Sequence, residues 1–276
     1  MNAQTPIAPV LQRSHGSAVV VFDQARGKTR LVRLRQTGSA KVILPQVGPN
    51  FGGAPEVVFL NTSGGLTGGD TLSFNLSLGV GVKAVATTQT AERAYRAGGG
   101  LAQVTVDLAV GSGGWLDWLP QETILFDGSA LARRTVIDLV GNAGCLALEA
   151  VVLGRPAMGE VVRQLMLRDT RMIRRDGVDL LQEPLVLTAE SLVAGSAVLG
   201  DARAFASLVM LGQGTDAALT AARAVLDEPG VDAAASAWDG KLSVRMMAVD
   251  GWPLRQQIRR VLDAIRPLPL PRVWQI

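Results

Sequence analysis

From residue 17 to about 187 the chain alternates short apolar runs with glycine-punctuated breaks: SAVVVFD, TRLVRLR, KVILP, EVVFLN, TLSFNLSL, VKAVATTQT, LAQVTVDLAV, RTVIDLV and CLALEAVVLG. Each run has the length of a strand and is rich in β-branched residues, and breaks recur about every ten residues, as in an all-β body. Within TLSFNLSL, Leu72, Phe74, Leu76 and Leu78 share one face, and Thr71, Ser73, Asn75 and Ser77 share the other, which predicts a strand with one face on the core. CLALEAVVLG and SAVVVF are almost continuously apolar and predict strands covered on both sides. A sandwich, a barrel or a solenoid would accommodate this mixture, and no fixed-period repeat selects among them.

The C-terminal third has a different texture. TDAALTAARAVLDEPG predicts a helix with Thr215 or Asp216 as its cap, Leu219, Ala222 and Leu226 on one side, and Pro229-Gly230 as its stop. A second helix is expected from Pro253 to residue 266. Its apolar stripe is Leu254, Ile258, Val261, Leu262 and Ile265, opposite Arg255, Arg259, Asp263 and Arg266. KLSVRMMAVD between them reads as one more strand. Prolines 267, 269 and 271 keep PLPLPRVWQI out of a helix and predict an extended tail on a surface. No Ser/Gly linker or long charge run divides the chain. The expectation is one domain over 1–276, β-rich over 17–187, with helical additions over about 188–266 that cover an open end or face of the β-body, and the tail 267–276.

Composition narrows the functional classes. Of 276 residues 48% are hydrophobic and 18% charged, enough for a substantial core. The net charge is +3 and the basic residues are nearly all arginine, without the dense stripe of a nucleic-acid binder. The pairs Arg133-Arg134, Arg174-Arg175 and Arg259-Arg260 read as solvated faces. The single cysteine, Cys145, excludes an internal disulfide, and MNAQTPIAPVLQ lacks a signal-peptide pattern, so a cytoplasmic location is expected. No apolar run approaches the ~20 residues of a membrane span.

Several stretches carry candidate chemistry. NTSGGLTGGD, 61–70, is glycine-rich, but a strand follows it instead of Lys-Ser/Thr and a helix, and Asp70 would repel phosphate. It reads as a sharp corner, with Asp70 either capping a turn or serving as an oxygen ligand. His15 is the only histidine, so no nucleophile–histidine arrangement is available, and Cys145 reads as inert core. Tight Cys/His metal sites are equally unsupported. The oxygen ligands on offer are Asp70, Glu92, Asp117, Glu122, Asp127, Glu149 and Glu160. TTQTAERAYR, 87–96, holds the only tyrosine, Tyr95. GWLDWLPQETILFDGS sets Trp115 and Trp118 around Asp117, an aromatic and acidic cluster suited to anchoring a partner, and GRPAMGE, 154–160, joins Arg155 and Glu160 in one connection. An alternative is a β-helical carbohydrate-active enzyme using the paired carboxylates Asp117 and Glu122, although a spacing of five in a loop does not fix the separation that such chemistry needs. A self-assembling structural protein is a third class.

At NTSGGLTGGD, TTQTAERAYR, WLPQETILFDGS, GRPAMGE with the following RRDG, and PRVWQI, in that order over nearly the whole chain, the sequence resembles the urease accessory protein family UreD, called UreH in some organisms. The resemblance implies a β-helix-like, solenoidal body of many short strands with a few helices towards the C-terminus. It also implies a cytoplasmic scaffold without catalytic activity that binds UreF, the GTPase UreG and apo-urease, with dimeric assembly through UreF as one arrangement, and that assists nickel insertion. No cofactor is tightly bound on this reading; nickel passes in transit, through a water-filled passage proposed for the family, and weak oxygen contacts suit release better than a Cys/His cage. Motif-matched Asp70, Thr88, Gln89, Glu122 and Glu160 are the expected nickel-path residues. Tyr95, Arg96, Trp115, Trp118, Arg155, Arg255, Arg259, Arg272 and Trp274 are the expected partner contacts, with the tail docking UreF.

Overall fold

The computed structural model describes residues 12–46, 54–155 and 158–275. The leader reading of residues 1–11, positions 156 and 157 of GRPAMGE, and the last residue of the tail lie outside the described residues.

The chain opens on an antiparallel hairpin, β1 (His15–Ala25) and β2 (Lys28–Gly38), then a short strand, β3 (Ala40–Ile43). It next winds as a solenoid whose turns each give one strand to each of two sheets. The first turn is β4 (Glu56–Asn61) and β5 (Thr71–Leu78); the second is β6 (Lys83–Thr88), a three-residue β7 (Glu92–Ala94) and β8 (Ala102–Val110). The third is β9 (Trp115–Trp118), β10 (Thr123–Leu125) and β11 (Ser129–Leu139), and the fourth is β12 (Gly144–Leu153) and β13 (Leu165–Arg175). Neighbouring turns pair in parallel, and β7, β10 and the end of β12 form a narrow third ribbon along one edge.

The winding then stops. β14 (Val178–Leu187) folds back on β13, and after the short helix α1 (Ala189–Val193) the chain lays β15 (Ala204–Leu211) antiparallel on β12. Helix α2 (Thr215–Arg223), β16 (Val231–Trp238), β17 (Lys241–Ala248) and helix α3 (Gly251–Ile265) follow, and the tail, expected to be extended throughout, closes on a single 3-10 turn at Arg272–Trp274 that the three prolines precede. One sheet therefore runs β14-β13-β11-β8-β5-β1-β2 and the other β16-β17-β15-β12-β9-β6-β4-β3. This is the mainly β, solenoidal body with C-terminal helices that the family resemblance implied.

Period-two geometry explains the packing. Leu72, Phe74, Leu76 and Leu78 of β5 are buried inside the solenoid, as their alternation predicts. In β12, Cys145, Ala147, Val151 and Leu153 face the interior while Leu146, Leu148 and Ala150 face an outer layer, so this strand is covered on both sides. SAVVVF is not: Ala18, Val20 and Phe22 are buried, but Val19 and Val21 stay half-exposed because nothing among the described residues layers over that face.

The outer layer on the second sheet is made by α2, α3 and the tail. Leu254, Ile258, Val261 and Leu262 of α3 pack against Val85, Leu146, Leu208 and Val244, each buried side chain contributing about 1.5–3 kcal/mol. Asp250 caps α3, accepting the Trp252 backbone N–H at 2.8 Å, so the helix starts two residues before the expected Pro253, which its first turn tolerates. Gly214, with φ of 83°, caps α2 in place of Thr215 or Asp216. The span 188–266 holds more strand than expected: besides the anticipated β17 it contains β15 and β16. AFASLVML is apolar except for Ser207 because both of its faces are covered, which hides the alternation, and the alanines of VDAAASAW carry little strand signal.

Candidate functional site

The inner columns of the solenoid change character along its axis. Register stacks Leu72 on Val104 and Phe74 on Val106; the next turn places Arg133 and Thr135 in these columns, and the last turn Asp169 and Arg171. From the facing sheet, Glu149 of β12 points into the same interior, on the parity of Cys145 and Ala147. Sequence parity alone requires this, since Arg133 lies on the face of Leu131, Ile137 and Leu139, and Asp169 and Arg171 on that of Leu167 and Ile173. The expectation that Arg133 belongs to a solvated pair is thus corrected: Arg134 is exposed and paired with Asp107, whereas Arg133 is buried.

The buried charges satisfy one another. Arg133 forms a two-pronged pair with Asp169, Nε to Oδ1 at 3.1 Å and Nη2 to Oδ2 at 2.5 Å, while its Nη1 lies 2.8 Å from Glu149 Oε2 and donates to Thr123 Oγ1 at 3.0 Å. Thr135 Oγ1 donates to Glu149 Oε1 at 3.1 Å. Burial pushes the Glu149 carboxyl above the ordinary range, and Asp169 adds to this against the pull of Arg133 and Arg171. Burial would lower the Arg133 pKa, but the carboxylates of Asp169 and Glu149 more than offset it, and the guanidinium is held charged.

A second cluster leads outward. Arg171 reaches Glu183 on β14, the carbonyls of Ala147 and Ser207, and Ser207 Oγ at 2.7 Å. The other Glu183 oxygen takes Arg245 of β17, whose side chain is 62% exposed. Glu149, Asp169, Arg171, Glu183, Ser207 and Arg245 line a cavity of about 520 Å³. It connects the charged interior with the surface at the last turn, where β14 and β17 form its mouth. Three acids, Glu149, Asp169 and Glu183, and two arginines, Arg171 and Arg245, share its wall.

A larger cavity, about 690 Å³, lies outside the second sheet under the end of α3, beside Lys83, Trp115 and Asn142. Its one acid, Asp117, is already engaged by Arg266 Nε at 2.8 Å and by Trp115 Nε1 at 2.7 Å. Size therefore does not single out the charged cavity, and the smaller of the two has the larger set of acids. Cys145 is buried and burial pushes its thiol up to about 12, in keeping with inert core.

The anticipated nickel-path residues do not converge. Asp70 is a turn-capping acid, accepting Ser14 N and Thr67 N at 2.8 Å each. Around it, Gly65 and Gly68 allow the NTSGGLTGGD corner to pack: a Cβ would fall 2.4 Å from the Tyr95 ring or 2.2 Å from the Gly99 carbonyl oxygen. Thr88 and Gln89 line a cavity of only about 70 Å³ with Asn61 and Glu92, and Thr88 Oγ1 accepts the Gln121 N–H. Glu122 pairs with Arg255 at 3.2 Å. Glu160 accepts the Asp127 N–H at 3.2 Å and pairs with Arg155 at 3.4 Å. Asp117 and Glu122 are held by different arginines, so they form no free pair of carboxyls.

Four of the anticipated partner residues are brought to the solenoid's third edge or beside it. There Tyr95 stacks on Phe126 with ring centroids 4.9 Å apart, the Arg155 guanidinium lies over the Phe126 ring at 4.5 Å, and Arg96 pairs with Asp127 at 2.6 Å. The fourth, Arg255, lies over the Trp274 ring at 4.8 Å. Trp118 and Trp274, expected to face a partner, are buried within the chain. Trp118 lies in the core beside Phe59, and Trp274 donates its Nε1–H to the Leu119 carbonyl at 2.9 Å. Their apolar area is used by this fold instead of being offered to another. Trp115 and Arg259 are half-buried, and Arg272 is exposed.

A sequence profile described as "UreD urease accessory protein" matches residues 14–275. The chain belongs to the UreD family. It is 61% identical over the full length of both chains to a protein of Cereibacter sphaeroides named urease accessory protein UreD. It is 52% identical to the protein of that name from Paracoccus denitrificans, over 98% of this chain and 95% of the other, and 44% identical to one from Rhizobium leguminosarum, over 96% of each. Membership of the UreD family supports a role in urease maturation and an interaction with other maturation factors, and the family's description as an accessory protein suggests a non-catalytic role. Among the described residues no helix is long and apolar enough to cross a membrane, and no three His, Cys, Asp or Glu side chains are grouped to hold a metal ion.

Proposed function

We propose that this UreD-family chain is a non-catalytic scaffold for urease maturation that binds UreF, through it the GTPase UreG, and apo-urease, and that nickel in transit moves through the charged interior of its last two turns. The observation that carries this reading is the replacement of an apolar core by Arg133, Glu149, Asp169, Arg171 and Glu183 just where the interior opens to the surface. Buried charge is costly and a solenoid core does not need it for folding, so a functional use is the economical explanation. Carboxylate oxygens bind a divalent cation loosely, and each acid is already balanced by an arginine, which favours passage over storage. The exposed Tyr95, Arg96 and Arg155 along the third edge supply aromatic and arginine groups suited to a protein partner.

Co-expression with UreF, UreG and the urease apoprotein, followed by size-exclusion chromatography and measurement of nickel in the recovered complex, tests the reading. A stable complex is expected. Replacing Arg133, Glu149 and Asp169 together by Met, Leu and Leu, which leaves none of the three buried without its partner, is expected to leave that complex intact while lowering nickel-dependent urease activation. A variant that activates urease as well as the wild type would remove the interior from the pathway, whereas failure to form any complex would remove the scaffold role.

A further inference from the structure

The main runs of the two sheets end on four edge strands, and three of these are short, packed by a helix or interrupted by proline. β3 has only four residues, β16 is packed by α2, and β14 carries Pro184 and abuts α1. β2 is different. It runs for eleven residues without proline, with one bulge at Val32; all of its residues but the half-buried Thr29 are exposed, and Leu31, Val32 and Leu34 are 43%, 64% and 40% exposed.

The charge on this edge is one-sided. β2 carries Lys28, Arg30, Arg33 and Arg35 and no acid. Arg33 and Arg35 stand opposite Val21 and Val19 of β1, and only Arg30 faces an acid, Asp23. None of the four is in an ion pair among the described residues. Such a strand repels a second copy of itself, since β2 against β2 would place cation on cation. It also resists an uncharged strand, which would desolvate the guanidinium groups without answering them. An extended segment with carboxylates among apolar residues meets both requirements: its backbone pairs with the open edge, its acids pair with the arginines, and its apolar side chains cover Leu31, Val32 and Leu34.

We propose that β2 is a docking edge for an acidic, extended segment of a protein partner, which adds to the seven-stranded sheet as an eighth strand. The site lies at the opposite end of that sheet from β14 and the charged cavity, and it does not depend on the nickel reading.

The test uses the full-length chain and a fluorescein-labelled ten-residue peptide alternating Glu with Val, with a Lys/Val peptide as its counterpart. Fluorescence anisotropy is expected to show binding of the Glu peptide and not of the Lys peptide. The Arg33→Glu/Arg35→Glu variant, altered only at exposed positions, is expected to bind the Glu peptide at least about tenfold more weakly, as loss of charge-assisted pairs requires, and to gain affinity for the Lys peptide. Amide hydrogen exchange over residues 28–35 is expected to slow when the Glu peptide is bound. Unchanged affinity in the double variant, binding without protection of β2, or equal competition by an unstructured polyanion such as oligo-dT would each overturn the proposal.

Discussion

In the first turns of the solenoid, Leu72 lies on Val104 and Phe74 on Val106; two turns later the same two columns hold Asp169 and Arg171, reached through Arg133 and Thr135. Both halves obey the same backbone register, and strands about 4.8 Å apart bring column neighbours into contact whatever they are. In the apolar half this contact is rewarded by burial and dispersion, and shape is the only requirement. In the charged half each residue must be answered by its column neighbour or by the facing sheet, so Arg133 needs Asp169 below it and Glu149 across from it. The apolar half can tolerate repacking, whereas the charged half is specified group by group, which is what a site demands and a core does not.

The largest effect is expected where that specification is broken on one side only. Arg133→Met leaves Glu149 and Asp169 buried without their cation and is expected to lower stability by about 3–5 kcal/mol in chemical denaturation. Replacing all three, as Arg133→Met/Glu149→Leu/Asp169→Leu, is expected to recover most of that loss, because an apolar cluster of similar volume removes the desolvation penalty with the charges. The triple variant should then be stable and poor at activating urease. Full activation by it would show that the charged half is only a core with unusual residues.

In the apolar half Leu76→Ala is expected to cost about 2–5 kcal/mol through the cavity it leaves, and Leu76→Met less than about 1.5 kcal/mol. Neither should alter urease activation per folded molecule. A selective loss of activation in the stable Leu76→Met variant would erase the distinction between the halves.

Arg245 sharpens the comparison at the mouth of the cavity. Its side chain is largely exposed and it shares Glu183 with the buried Arg171. Arg245→Gln is therefore expected to change stability by less than about 1 kcal/mol, as for an exposed pair, while leaving only the Ser207 hydroxyl on that Glu183 oxygen and raising the rate of nickel-dependent activation. Measuring both on one preparation separates a gate from a surface contact.

Legibility in the sequence followed the same division. The alternation of TLSFNLSL placed four residues of the apolar half in the core without further help, and the stripe on α3 was readable for the same reason. Solenoid winding was not, because the turns differ in length and composition and only the family resemblance chose among β-architectures. Arg133 was misread as surface because arginine pairs are usually solvated, although its parity with Leu131 and Ile137 was present in the sequence. Trp118 and Trp274 were misread in the opposite direction, as anchors for others, since a tryptophan's type does not tell whether its own chain or a partner covers it. Asp70 could not be settled between cap and ligand until the Ser14 and Thr67 amides were seen to occupy both oxygens.

The smallest expected effect concerns Glu92, which sits at the wall of the small cavity beside the first two turns. Burial raises its pKa above the ordinary value of 4.5, against the opposing hydrogen bonds from Asn61 and the Arg93 amide. The folded chain therefore holds this proton to higher pH than the unfolded chain does, so stability falls as pH climbs from about 4.5 through the raised value and is level above it. Glu92→Gln keeps an oxygen for the Asn61 amide and removes the titration. Relative to wild type the variant should be equal below pH 4.5 and more stable at neutral pH, with the difference opening across the window between. Melting temperatures of both proteins measured from pH 4 to pH 8 check this. A difference that is constant with pH, or that favours the wild type as pH rises, would mean that Glu92 is ionised at no cost, and that the polar pocket it lines behaves like the charged half and not like the apolar one.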